Sequence, residues 1–261
     1  MIVDIHTHIY NEKTYKTYFT KAKNKISKVL VMAWYKENFK DLLDFSSKKD
    51  DVFLVGTVDI EKNIEEQLQT LEKLFQEKRI VGIKLYPGYQ YFYPSGEKIF
   101  PIAELCQKYN KPLIFHSGDI YDEENKAVLK YALPIHTDEL AVRFPKCKII
   151  ISHFGFPYYL ETATVVCKNK NVFTDISGTI DVPDSEKGTK NLLNQYAVDL
   201  RRALSYFPNI KNKIMFGSDY SGEDTSLRDI EPYIKLVEQV FPKKERGSVF
   251  YGLAERLFFD D

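Results

Sequence analysis

The 261-residue chain carries 37 lysines and arginines against 37 aspartates and glutamates, so no net basic field is present to attract nucleic acid. Apolar residues at 44% and charged residues at 28% suit a soluble globular protein long enough to bury a core without disulfides. Three well-separated cysteines (Cys106, Cys147, Cys167), no basic-then-apolar leader and no apolar run near the ~20 residues of a membrane span together predict reduced thiols, a cytoplasmic location and no membrane partner.

Runs of strand character then recur along the chain. The first, residues 2–8, contains Asp4-Ile5-His6-Thr7-His8. Strand side chains alternate in direction, so His6 and His8 project to one side and can grip one ion together. Further runs cover 28–33 and 52–58. Residues 63–78 read as a helix, with Ile64, Leu68, Leu71, Leu74 and Phe75 on one stripe. The fourth run, 80–86, carries Lys84 and Tyr86 near its end, and a loop over 87–96 follows with Tyr89, Tyr91, Phe92 and Tyr93. That loop is a lid, a pocket wall or a subunit contact, or its aromatics only anchor it to the barrel rim; a homo-oligomer is the further possibility. The fifth run, 112–116, closes on His116. His136 sits in Leu133-Pro134-Ile135-His136, where it is expected in a loop before a helix that starts at Thr137-Asp138-Glu139. Runs 148–153, closing on His153, and 171–176 come next, followed by a second long loop over 177–190. The eighth run, 213–217, leads to Ser218-Asp219, and a helix is expected over 227–241.

Eight near-continuously apolar runs alternating with helical segments predict a single (β/α)8 TIM barrel domain over 1–261, with its active site at the C-terminal ends of the strands. A doubly wound open sheet is the alternative. A lone His-x-His is a weak signal, because a strand histidine can be a satisfied core residue. The combination carries more. If the runs share one barrel, His6, His8, His116, His153 and Asp219 converge at one mouth and supply imidazole and carboxylate donors that suit zinc, manganese or iron. An aspartate beside such an ion is placed to take a proton from an activated water. A helix-cap role for Asp219 would not explain the histidines.

Several stretches resemble the amidohydrolase superfamily, specifically the amidohydrolase 2 branch that also contains metal-dependent decarboxylases. They are Met1-Ile2-Val3-Asp4-Ile5-His6-Thr7-His8, Val81-Gly82-Ile83-Lys84-Leu85-Tyr86-Pro87, Leu113-Ile114-Phe115-His116-Ser117-Gly118, Phe144-Pro145 leading to Ser152-His153-Phe154-Gly155, Asn171-Val172-Phe173-Thr174-Asp175-Ile176-Ser177-Gly178 and Met215-Phe216-Gly217-Ser218-Asp219. One departure is Gly252-Leu253, where relatives carry Asn-Ala before the final Arg-Leu-Phe; it bears on local helix capping more than on chemistry. The resemblance implies that His6, His8, His116 and Asp219 hold a divalent metal, most simply zinc. It implies that His153 orients or polarises the substrate or binds a second ion. Lys84 has two implied forms, a carbamate bridging two ions or a free ammonium that holds an anionic substrate group, and the one-metal form is preferred.

The expected function is a metal-dependent hydrolase acting on an amide, lactone or ester-like bond of a small molecule. Asp219 serves as general base, with His153 and Lys84 assisting. Tyr86, Tyr89, Tyr91, His136 and Lys84 are the expected substrate contacts. The alternative is a metal-dependent non-oxidative decarboxylase or hydratase acting on an aromatic or unsaturated carboxylic acid.

Overall fold

The structure, a computed structural model, describes residues 1–22, 25–121, 126–179, 186–221 and 230–260. Eight strands pair in parallel and in sequence order: β1 (Val3–Thr7), β2 (Lys28–Met32), β3 (Val52–Thr57), β4 (Ile83–Leu85), β5 (Leu113–Phe115), β6 (Ile149–Ile151), β7 (Val172–Asp175) and β8 (Ile214–Met215). The two ends of the sheet meet. Thr7 bridges Tyr220 in parallel, the His8 N–H donates to the Tyr220 carbonyl at 2.7 Å, and the Asp219 N–H donates to the His6 carbonyl at 2.8 Å. The fold is therefore a (β/α)8 barrel, and the open doubly wound sheet is ruled out. The paired strands are shorter than the apolar runs, because burial under helices continues past the last ladder bond.

Helices α1 (Glu12–Ala22), α2 (Phe39–Ser46), α3 (Ile64–Gln76), α4 (Phe100–Lys108), α5 (His136–Arg143), α6 (Tyr159–Lys168), α7 (Glu186–Tyr206) and α8 (Ile230–Val240) follow their strands in turn. A short α9 (Lys243–Gly247) leads into two wide helical turns, Ser248–Gly252 and Glu255–Phe259. The helix expected over 63–78 is α3. Asn63 caps it by accepting the Glu66 N–H at 3.4 Å, and Lys78, in the left-handed region at φ 55°, ends it.

Two apolar layers result from strand alternation. Val29, Val31, Ile83, Leu85, Leu113 and Phe115 face outward to the helices, whereas Val3, Ile5, Leu30, Met32, Val55, Ile114, Ile150 and Met215 fill the barrel. Leu253, Ala254, Leu257 and Phe258 close its floor. The helical path thus runs through Gly252-Leu253 in spite of the missing asparagine.

Three boundaries differ from expectation. His136 is the first residue of α5, since Pro134 presets a turn and the Thr137 side chain and N–H both bond the Pro134 carbonyl. The loop expected over 177–190 becomes helical at 186, where Leu193, Tyr196, Ala197 and Leu200 recur at helical spacing and are buried; residues 180–185 lie outside the described part. The helix expected from 227 is described from Ile230, and 227–229 are likewise outside it. No helix among the described residues is long and apolar enough to cross a membrane.

Candidate active site

Side chains reach the mouth of the barrel by the two-residue step of a strand. Met32 in the barrel interior is followed on its face by Trp34, Ile114 by His116, Ile150 by Ser152, and Phe173 by Asp175. Two residues depart from this parity. The β1–β2 register is irregular between Asp4 and Thr7, so Ile5 faces the interior and its neighbour His6 also turns inward to the cavity. His153 would face outward by alternation, yet it adopts φ 62° and Phe154 φ 47° immediately after β6, and this turn swings the imidazole into the site. Gly178 makes room for it. At φ +69° a Cβ there would lie 2.5 Å from His153 Nδ1 and 3.0 Å from Asp219 Oδ2.

Asp219 Oδ1 lies 3.1 Å from His8 Nε2 and 3.4 Å from His6 Nε2. The other ring nitrogens are already committed. The Tyr10 hydroxyl donates to the Met32 carbonyl at 3.0 Å, so its oxygen accepts the His8 Nδ1–H at 2.6 Å. His6 Nδ1 faces Ser177 Oγ at 3.1 Å and Asp175 Oδ2 at 3.3 Å. These partners leave two Nε2 lone pairs pointing at a carboxylate, an arrangement that repels itself until a cation sits among the three atoms. Two ligands on one tetrahedral zinc lie about 3.3 Å apart, so the observed spacing fits a small divalent ion, and the Asp175–His6 pair is the support such a ligand needs.

His116, expected among the metal ligands, is not brought into this trio. Its Nδ1 faces His153 Nε2 at 3.2 Å, and its Nε2 lies 3.0 Å from the Asp119 carbonyl. His153 Nδ1 lies 3.0 Å from Ser177 Oγ, so both of its ring nitrogens have protein partners. A second cluster of donors, His6, His153 and Asp175, shares His6 with the first.

Burial sets the charges. It lowers the His6 pKa, aided by Lys84, and pushes His153 down to about 3, so these imidazoles are neutral donors. For Asp175 burial works upward, but the hydrogen bond from His6 first, and the positive charge of Lys84 nearby, outweigh it and hold the carboxyl well below the usual range. Lys84 is fully buried, donates from Nζ to Ser152 Oγ at 2.5 Å, and has its ammonium pushed down to about 7 by burial against the opposing pull of Asp175 and Asp219. The amine is therefore poised between charged and neutral near physiological pH.

The cavity is lined by His6, His8, Lys84, His116, His153 and Asp219 on its polar side and by Trp34, Tyr86, Tyr89, Tyr121 and Phe156 on its aromatic side. Tyr86 is tied to the Ala33 carbonyl at 2.8 Å, and the Tyr89 ring packs edge-on to His116 at 5.1 Å. Tyr91 and His136, expected at the substrate, do not line this cavity. Tyr91 is 57% exposed and stacks on Tyr131, while His136 packs on Tyr93 at 4.7 Å and bonds the Lys130 carbonyl through Nε2 at 2.9 Å. Conversely, Trp34, Asp175 and Ser152 belong to the site although the sequence reading did not select them. Counting two residues on from each interior position would have found all three.

The amidohydrolase family model of the second branch (Amidohydro_2) matches residues 3–259. None of the curated proteins matches the chain by sequence. Solved structures do, at the level of fold. A TIM-barrel protein from Bordetella bronchiseptica superposes with TM-score 0.74 at 16% identity, covering 98% of this chain and 97% of that one. A probable 2-pyrone-4,6-dicarboxylic acid hydrolase from Acinetobacter baumannii, with citric acid bound, gives TM-score 0.69 at 15% identity over 98% of both chains. A dihydroxybenzoic acid decarboxylase from Polaromonas sp. JS666, with manganese and 2-nitroresorcinol bound, gives 0.65 at 12% identity over 98% of this chain and 96% of that one. With the family model spanning nearly every residue and the metal-donor trio at the mouth of the barrel, the chain belongs to the amidohydrolase family.

Proposed function

We propose that the protein is a metal-dependent hydrolase that cleaves a lactone, amide or ester-like bond of a small carboxylated molecule. The observation that carries this reading is the convergence of His6 Nε2, His8 Nε2 and Asp219 Oδ1 in a buried cavity. A divalent ion held by these three atoms supplies Lewis acidity towards a carbonyl and makes a water nucleophilic near neutral pH. Two imidazoles and a carboxylate accept zinc or manganese, so elemental analysis of protein purified without chelator identifies the ion.

The remaining steps belong to the chain. Lys84, as ammonium, pairs with the substrate carboxylate and is held in place by Ser152. Asp219 takes the proton of the attacking water and returns it to the leaving group. His153, neutral and turned into the cavity, hydrogen-bonds the reacting carbonyl through Nε2 in place of His116 Nδ1, and does not act as an acid. Asp175 and Tyr10 keep His6 and His8 in the tautomer that leaves Nε2 free.

The aromatic side of the cavity favours a second reading, non-oxidative decarboxylation of an aromatic acid. One experiment separates the two. Metal-replete protein is incubated with lactones, amides, carboxylate esters and aromatic acids, with products followed by mass spectrometry and released CO₂ trapped. Ring-opened or hydrolysed products support the hydrolase, and CO₂ without net hydration supports the lyase. Turnover of no member of the panel sinks both.

A further inference from the structure

Trp34, the chain's sole tryptophan, lines two cavities at once. One is the catalytic cavity, about 110 Å³ in volume. The other, about 340 Å³, lies under the loops that follow β2 and β3, where Tyr35, Phe39, Thr57, Asp59 and Gln67 contribute to its walls. The indole is thus the shared wall between a small space holding the metal donors and a larger space beside it. The catalytic space has about a third of its neighbour's volume, so a substrate that outgrows it on this side meets the indole.

The wall is braced. The Trp34 ring packs against Tyr35 at 4.6 Å, edge-on to Tyr86 at 4.5 Å, and edge-on to Tyr89 at 5.0 Å. Tyr86 is itself anchored to the Ala33 carbonyl, and the Tyr35 hydroxyl reaches towards the Tyr89 carbonyl at 3.5 Å. An aromatic ring held on three sides by other rings cannot step aside for a longer substrate without unpacking them. Because Trp34 continues the Leu30–Met32 face of its strand, its backbone belongs to the barrel wall and not to a distant loop.

We infer that Trp34 is the specificity-determining residue of this site: it limits how far the substrate extends on this side, and without it the neighbouring cavity becomes part of the active site. The inference rests on the substrate reading above for the carboxylate, but the size limit itself does not depend on charge. The test therefore uses two size pairs, benzoate with 2-naphthoate and phenol with 2-naphthol, measured by calorimetry and saturation-transfer NMR on metal-loaded wild type, Trp34→Ala and Trp34→Phe. Pocket fit discriminates by about tenfold or more, so wild type should prefer each one-ring member by at least that factor. In Trp34→Ala the two-ring members should gain about tenfold relative to their partners, and Trp34→Phe should fall between.

Equal wild-type affinity for one and two rings overturns the inference. So does an unchanged ratio in Trp34→Ala that melts like wild type. If Trp34→Ala does not fold, the ratio in Trp34→Phe decides, together with wild-type tryptophan emission, which phenol should change saturably. Binding of the neutral pair with the expected size limit, but of neither acid, leaves the wall standing and removes the carboxylate reading. Binding of neither pair overturns both.

Discussion

Replacing Lys84 by methionine should stabilise the metal-free protein while disabling it. Lys84 has no exposed surface, and burial lowers its ammonium pKa from 10.5 to about 7. At ~1.4 kcal/mol per pKa unit, forcing the charged form into the folded protein costs about 5 kcal/mol. The folded pKa lies below the unfolded one, so between pH 7 and 10.5 the unfolded chain holds the extra proton and wild-type stability rises with pH. The cost is therefore full below pH 7 and gone near pH 10.5. Methionine removes it but leaves Ser152 Oγ without its donor, which returns about 1–2 kcal/mol. The net gain at pH 6 is about 3 kcal/mol, or roughly 6–12 °C in Tm for a chain of this length. At pH 10 the gain should vanish or turn slightly negative. Thermal unfolding of both proteins at pH 6, 8 and 10 reads this directly. A variant that melts lower than wild type at pH 6, or a gain that does not shrink with pH, refutes the buried-charge argument. Turnover of a carboxylated substrate should fall by about 10²-fold in the same variant, the worth of one lost charge-assisted bond.

Other perturbations separate the roles around the trio. Asp219→Asn should lower kcat by about 10²–10⁴-fold, with metal content followed in parallel to separate lost base from lost ligand. Asp175→Asn should weaken metal affinity about 10–100-fold through His6 while kcat at saturating metal changes less; an unchanged affinity in a chelator titration would show that His6 does not need this partner. Gly178→Ala meets His153 Nδ1 at 2.5 Å in a left-handed backbone conformation and should cost about 1–3 kcal/mol as well as activity, seen as a lower Tm and a displaced His153 resonance. Chelation should abolish turnover and lower Tm, with recovery on adding zinc or manganese; an ion present at 100 times its Kd stabilises by about 2.7 kcal/mol.

Much of this site was legible because strand ends announce themselves. His6, His8, His116 and Asp219 each follow a β-branched or aromatic run, and parallel pairing in sequence order brings those ends to one rim. What was not legible has three physical sources. Trp34, Ser152 and Asp175 lie on the inward face by simple alternation, but an aromatic, a serine or an aspartate at such a place has ordinary structural uses and attracts no notice alone. The inward turn of His153 depends on two consecutive left-handed residues that are not glycine, which no local propensity predicts. Tyr91 stands in a loop that packs on Tyr131, and loops of this kind have no period to read; His136 opens α5 and is turned onto Tyr93, a contact that the helix start does not announce.

The position of the donor trio within the barrel also matters for stability. His6 and His8 stand on or just past the first strand and Asp219 just past the last, so the ion would join the two edges of the sheet that are furthest apart in sequence. The same seam is held from beneath by Asp4. Its buried carboxylate accepts the Tyr18 hydroxyl at 2.7 Å, the Ser218 hydroxyl at 2.6 Å and the Ser218 N–H at 3.0 Å. Burial nevertheless pushes the Asp4 carboxyl up to about 6, so at neutral pH this anion is kept at a cost that its donors only partly offset. A seam built on such a group gains from a cross-link nearer the mouth of the barrel, where closing a loop of some 200 residues contributes more than closing a short one. Metal binding and barrel closure are on this reasoning one event. Loss of the ion should loosen β1 and β8 before the β4–β6 half of the sheet, and amide exchange resolved along the chain should show that order.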